Sequence, residues 1–484
     1  MSSKLAAVLP LLLTLTTSQK IGTAIPEVHP RLTTQACTTA GGCVTRQSFL
    51  VTDALSRPLH ATGDPSVSCN PLNTTLCPDA ATCAQNCELE GVEYGSIGVA
   101  TAGSALTMRQ YLFDGTAYKS VSPRLYLLAE DGMNYEMLKL AGQELTYDVD
   151  VSQLGCGMNG ALYLSEMEAS GSRSDLNPAG AQYGTGYCDA QCFNTTFIGG
   201  LPNLNNSGSC CNEMDIWEAN SLATALTPHT CSSPGPFLCA GDEECGKDAG
   251  VCDKSGCGIN PFSTGAKTYY GPGLTVDTAK PFTVVTQFVT ADGTPSGELT
   301  EIRRLYVQGG RVIPNAGVSA TTSVASQYAA RAAEAHDAAP AAAAGGAITQ
   351  DFCTSRNASS FLRLGGMAGM GAALGRGMVL VFSIWNSEGD FMNWLDSGAN
   401  GPCSNTSGDP ALIVAGNPDV SVTFSNIRWG DIGSTFNATG GGPGDVVSAA
   451  KEEQSEGSGV GMRGLAGMGW VGMAGFMGWF ALFW

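Results

Sequence analysis

Three carboxylates stand within six residues of one another: Glu213, Asp215 and Glu218, in Ser209-Cys-Cys-Asn-Glu-Met-Asp-Ile-Trp-Glu-Ala-Asn220. Acids this close can serve as nucleophile and general acid/base on a single bond, the pairing that breaks glycosidic linkages. Met214, Ile216 and Trp217 are apolar or aromatic, so the stretch reads as a strand. Side chains alternate along a strand, which puts Glu213 and Asp215 on one face and turns Glu218 away. One extra residue within Ile216–Glu218, a β-bulge, would return Glu218 to the same cleft. Five extended residues at ~3.3 Å each span roughly 16 Å. Two long Glu side chains leaning together could close that to about 5 Å, the separation of a retaining glycosidase. Asp215 is too short to bridge. Beside Glu213 it could share a proton with it, orient it and tune its pKa. On spacing alone, a sheet face dotted with solvated acids is the competing reading.

Taken whole, Cys-Cys-x-Glu-Met-Asp-Ile-Trp-Glu-Ala-Asn resembles the catalytic strand of glycoside hydrolase family 7, the fungal cellulases. The resemblance runs over roughly residues 25–437. It includes Asp148-Val-Asp-Val-Ser-Gln-Leu-Gly-Cys-Gly-Met-Asn-Gly-Ala-Leu-Tyr163, Tyr183-Gly-Thr-Gly-Tyr-Cys-Asp-Ala-Gln-Cys192 and Ala225-Leu-Thr-Pro-His-Thr-Cys231. It continues through Tyr270-Gly-Pro-Gly273, Gly377–Asn386, Met392–Ser397 and Phe424–Ser434. It implies Glu213 as nucleophile, Glu218 as general acid/base and Asp215 as assistant to the nucleophile. It also implies sugar platforms at Trp385 and Trp394 on either side of the scissile bond. Asn159, Tyr163 and Tyr187 match positions lining the glucose subsites near the nucleophile, and His229 is expected to approach Asp215 or the departing sugar. Trp217, although among the acids, reads as core. The implied chemistry needs no metal and no cofactor. A proton-donating Glu218 needs a raised pKa, which the charge of Glu213 is expected to supply.

The elements that must hold these residues are strands. Arg124–Leu128, Glu136–Leu140, Glu144–Val151, Ala161–Met167, Thr283–Thr290, Met378–Trp385 and Val420–Trp429 are short, rich in β-branched or aromatic residues, and separated by turn residues. No long amphipathic helix stands among them. Many short strands mean a sandwich or barrel. The resemblance narrows this to an all-β jelly-roll sandwich of two curved antiparallel sheets, with an open substrate cleft on the concave face. Ala325–Gly346 is mostly alanine and reads as a low-complexity surface insertion, with His336 solvated.

Composition sets the compartment. The 484 residues carry a net charge of −19, which makes nucleic acid a poor partner; a neutral polysaccharide is compatible with it. Residues 1–18 have a charged start at Lys4, an apolar run Leu5–Leu15 and a small-residue end, as a signal peptide does; cleavage after Ala24 is an alternative. The 18 cysteines are even in number and tightly spaced, so nine disulfides are expected in preference to zinc sites. The resemblance pairs Cys188 with Cys211 and Cys192 with Cys210. Six Asn-x-Ser/Thr sequons, at Asn73, Asn194, Asn205, Asn357, Asn405 and Asn437, fit a secreted glycoprotein. A monomer is expected.

Residues 438–463 read as a linker. Residues 464–484 form an uncharged tail that, with the small residues Ser448-Ala449-Ala450 upstream, resembles a GPI-attachment signal. A single transmembrane helix is the rival reading. No Cys-rich cellulose-binding module is expected after the catalytic domain.

Family members that act from chain ends roof the groove with long loops; here only 17 residues separate Cys192 from Cys210, the segment between Asp292 and Arg304 is compact, and Pro402–Gly408 resembles the endoglucanase form. These short loops predict an open cleft and internal cleavage of β-1,4-glucan. Asp53–His60 lies where relatives usually carry two tryptophans, so a distant sugar platform is missing. The rival functions are a cellobiohydrolase acting from chain ends, a cell-surface transglycosylase, and a glucan-binding protein without catalysis.

Overall fold

The computed structural model describes residues 20–316 and 346–436. Residues 1–18, read as a signal peptide, nearly all of the Ala-rich stretch with His336, the sequon at Asn437, and the segments read as linker and tail lie outside them. The strands that frame the site are β1 (Arg31–Thr38), β2 (Gly42–Thr52), β3 (Arg124–Leu128), β4 (Gln143–Asp150), β5 (Asn159–Ser165), β6 (Glu213–Ala219), β7 (Thr224–His229), β8 (Phe282–Thr290), β9 (Leu299–Gln308), β10 (Met378–Trp385) and β11 (Ser421–Asp431). They hydrogen-bond in the order β7-β6-β5-β10-β3-β2-β1-β11-β4-β8-β9. The ribbon folds over on itself around β2. Residues 49–52 of that strand pair with β3, and 42–49 with β1.

The two halves meet face to face through side chains that alternate along each strand. Leu162 and Leu164 of β5, Met214, Ile216 and Trp217 of β6, and Leu380, Phe382 and Ile384 of β10 point into one core. That core also holds Leu145 and Tyr147 of β4, Val284 and Phe288 of β8, and Phe424 of β11. Trp217 is at its centre, fully buried, with ring centroids 5.9 Å from Phe282, 6.4 Å from Tyr147 and 6.4 Å from Tyr306. The opposite faces of β5 and β10 carry Ala161, Tyr163, Val379 and Val381, which pack in a second cluster beneath the cleft. This is the sandwich the strand pattern predicts, in the jelly-roll form the resemblance implies.

One seam is parallel. Gln35–Cys37 of β1 run alongside Arg428–Gly430 of β11, joining the two ends of the described chain. Gly430 has φ +150°, and a Cβ there would lie 1.8 Å from the Cys37 carbonyl oxygen, so only glycine allows this approach.

Two sequence readings need correction. Glu136–Leu140 forms only a two-residue strand, Met137–Leu138, against the end of β10. An 11-residue helix, Gly366–Arg376, packs Met367, Met370, Ala373 and Leu374 into the core. Its glycines look like turn residues. They are needed for close packing, since a Cβ on Gly371 would lie 2.6 Å from the Leu299 Cβ on β9.

All 18 cysteines are paired, which removes the zinc reading. Cys156–Cys403 and Cys257–Cys353 close the longest covalent loops. The central tryptophan offers a direct test of this packing. Trp217→Ala should cost about 3–5 kcal/mol of stability, read as a large drop in Tm by calorimetry.

Candidate active site

The floor of the cleft is β6, and its register supplies the missing step in the carboxylate geometry. Against β5, Met214 faces Leu164 and Trp217 faces Leu162, so three steps on β6 match two on its neighbour. Against β7, Asp215 faces Thr227 and Glu218 faces Ala225, the same mismatch. The extra residue falls at Ile216, inside the span expected from the sequence. Ile216 and Trp217, adjacent in the chain, both enter the core. Alternation then resumes one residue out of phase, and Glu213, Asp215 and Glu218 all line one cleft.

Each acid has a dedicated partner. Glu213 is 7% exposed, and its Oε2 accepts the Ala190 backbone N–H at 3.1 Å. Ala190 lies in the segment 188–192, which the Cys188–Cys211 and Cys192–Cys210 bridges tie to the residues just before β6. The paired cysteines therefore deliver a hydrogen-bond donor to this carboxylate.

Asp215 bonds to Glu213 and lies 3.0 Å from His229 Nε2. His229 Nδ1 is 2.8 Å from the Asp253 carbonyl oxygen, which can only accept, so Nδ1 carries a proton. A further proton must then lie between Nε2 and Asp215.

Glu218 Oε1 accepts from the Asn159 side-chain amide at 3.0 Å, and Asn159 Oδ1 accepts the Ala219 N–H at 3.0 Å. Asn159 is fully buried and spends its amide on this clamp, so it holds Glu218 instead of lining the cleft.

Burial is the largest influence on all three acids, and like charge adds to it. Glu213 is pushed well above the ordinary carboxylate range by desolvation, then by Asp215 and Asp189. Asp215 is raised to about 8 by burial and by Asp189. Glu218 is raised to about 8 by burial and then by Asp215. The neighbour that lifts Glu218 is thus Asp215 and not Glu213, contrary to the sequence expectation.

The remaining predicted residues divide. Tyr163 and Tyr187 line the cleft, and their hydroxyls are 3.0 Å apart. Trp385 and Trp394 also line it, with near-parallel rings 6.4 Å apart and Trp394 40% exposed. An indole left this open suits a groove entered from the side. Leu55 and Ser56 occupy the cleft end where tryptophans were missing.

Sequence reasoning missed Asp189 and Arg124. Asp189 is buried, accepts the Tyr187 hydroxyl at 2.8 Å and adds its charge to the site. Its signal was its place between two cysteines that brace β6. The Arg124 guanidinium lies 3.5 Å from the Tyr187 ring centroid and pairs with Asp53.

Residues 21–436 match the model of glycosyl hydrolase family 7. The chain belongs to this family. It is 55% identical to the endo-beta-1,4-glucanase celB of Aspergillus oryzae over 429 residues, 88% of this chain and 97% of that one. Its structure resembles the Humicola insolens endocellulase EGI with a TM-score of 0.77 at 46% identity, covering 86% of this chain and all of that one. A family 7 cellobiohydrolase from Daphnia pulex superposes with a TM-score of 0.75, over 86% of this chain and all of that one, but at 34% identity. The sandwich is common to both activities, and the sequence lies nearer the endo-acting enzyme.

The raised Glu218 pKa fixes a sign. Its ordinary value is 4.5, and in the folded protein it is about 8. Between these values the folded state keeps a proton that the unfolded chain has lost. This contribution to stability is complete below pH 4.5 and is lost as pH rises towards 8. Over that window Tm should fall less steeply in Glu218→Gln than in the parent. Equal slopes would show that Glu218 does not carry the shift.

Proposed function

We propose that this chain hydrolyses internal β-1,4-glucosidic bonds of cellulose and related glucans by double displacement with retention. Glu213 attacks the anomeric carbon while Glu218 protonates the leaving oxygen. Glu218 then takes a proton from the water that releases the glycosyl-enzyme. The observation that carries this reading is the bulge at Ile216, which places all three acids of one strand on the floor of one cleft.

The proton inventory supports the assignment. A carboxyl held near pH 8 is protonated at neutral pH and ready to donate, which suits Glu218. A nucleophile must be ionised. The Ala190 N–H and the nearby His229 favour the Glu213 anion, whereas burial and a charged Asp215 oppose it; a proton held between Asp215 and His229 removes that repulsion. Tyr163, Tyr187 and the Trp385–Trp394 pair offer the hydroxyls and flat apolar faces that a glucan chain needs.

Secretion is supported by the nine disulfides and by the signal-like residues 1–18. A lipid anchor attached upstream of the apolar tail is part of the same proposal. Phosphatidylinositol-specific phospholipase C should then release activity from the cell surface; retention on cells after treatment argues against it.

Glu213→Gln should reduce the release of reducing ends from carboxymethyl-cellulose on the order of 10⁴-fold or more. Proton NMR of the first products of the parent enzyme should show the β-anomer. A rapid early fall in polymer viscosity should accompany cleavage. An α-anomeric first product would overturn the double displacement, and cellobiose as almost the sole early product would overturn internal attack.

A further inference from the structure

Ile216 has no opposite residue in either neighbouring ladder. A bulge leaves its extra residue unpaired, and an unpaired polar backbone group is costly when buried. The Ile216 carbonyl instead accepts from Nη2 of Arg304, which reaches across the core from β9 in the other layer. Arg304 is 3% exposed. Its Nε donates to Thr286 Oγ1 at 3.2 Å, from the residue directly opposite on β8. Its guanidinium stands 5.6 Å from the Trp217 ring centroid and 5.9 Å from that of Tyr306.

The adjacent Arg303 behaves ordinarily: it faces the other way and pairs with Glu301. Among the described residues, no carboxylate pairs with Arg304. A buried cation without an anion is a poor stabilising device. This one is held by the Thr286 and Tyr306 hydroxyls and donates to a carbonyl at the one residue whose insertion turns Glu218 into the cleft.

We infer that Arg304 is a positioning residue for the reaction. It fastens the Ile216 carbonyl and stacks over Trp217, which locks the bulge and so fixes the direction of the Glu218 carboxyl two residues on. Asn159 holds that carboxyl from the cleft side, and Arg304 holds its backbone from the core side. The inference rests on the assignment of Glu218 as acid/base.

The leaving group tests it. Departure of a sugar alcohol needs a proton from Glu218, whereas departure of dinitrophenolate does not. The readout is kcat/KM on cellotetraose and on 2,4-dinitrophenyl β-cellobioside, which reports the first displacement in each case. Glu218→Gln should lose on the order of 10²-fold or more on cellotetraose and little on the dinitrophenyl substrate. Arg304→Met should show the same selectivity: a loss of about tenfold or more on cellotetraose against less than about threefold on the dinitrophenyl substrate. Thr286→Val keeps the core volume and removes one support of the guanidinium, so it should show the same bias, more weakly. It decides the matter if Arg304→Met does not fold. Equal losses on both substrates, or no loss, in the folded variants would sink the inference while leaving Glu218 in place. A Glu218→Gln variant without selectivity would instead remove the acid/base assignment, and this inference with it.

Discussion

The structure depends on one residue too many in one strand. In a regular β6, side chains would alternate without fault, and Glu218 would face away from the cleft that holds Glu213. The insertion at Ile216 shifts the phase after Asp215, and the core absorbs the shift by accepting two consecutive apolar side chains. The large aromatic at 217 makes that shift hard to undo. A slip in register would pull a fully buried indole from its contacts with three strands of the opposite layer. Packing energy on one face of the strand thereby fixes catalytic geometry on the other.

Gathering three acids in a buried place works against folding, since each loses water and repels the others. The surrounding elements offset this with directed donors: Ala190 N–H for Glu213, His229 for Asp215 and the Asn159 amide for Glu218. Those donors come from a disulfide-braced loop, from β7 and from β5. The same arrangement keeps protons on the site at neutral pH, with the Glu218 carboxyl held near pH 8.

Much of this was legible in the chain. The order acid, apolar, acid, apolar, apolar, acid from Glu213 to Glu218 contains the bulge, because two neighbouring core-type residues break a two-residue period. β3 and β10 could be read to the residue, being apolar runs with clear ends. The helix Gly366–Arg376 could not, because its glycines serve contact with β9 and mimic turns. Arg304 was also hidden. In Glu301-Ile-Arg-Arg304 it looks like part of a charged solvent face, and only the register of β9 shows that it turns inward. Asn159 was recognised from its motif but given the wrong task, since sequence shows which residues gather and not which of them stays dry. Arg124 acts through Asp53 and Tyr187, and the charge of Asp189 is felt by Glu213 and Asp215, all far away in the chain, which spacing does not reveal.

The two long disulfide loops have a consequence for the life of the enzyme outside the cell. Cys257–Cys353 lies inside the loop closed by Cys156–Cys403, and positions 317–345 fall within both. A protease that severs the chain there produces two polypeptides but no separate molecules. The piece carrying the three acids and the piece carrying both stacked indoles stay joined by two covalent bridges. Clipping at that point would show as two bands on a reducing gel and one on a non-reducing gel.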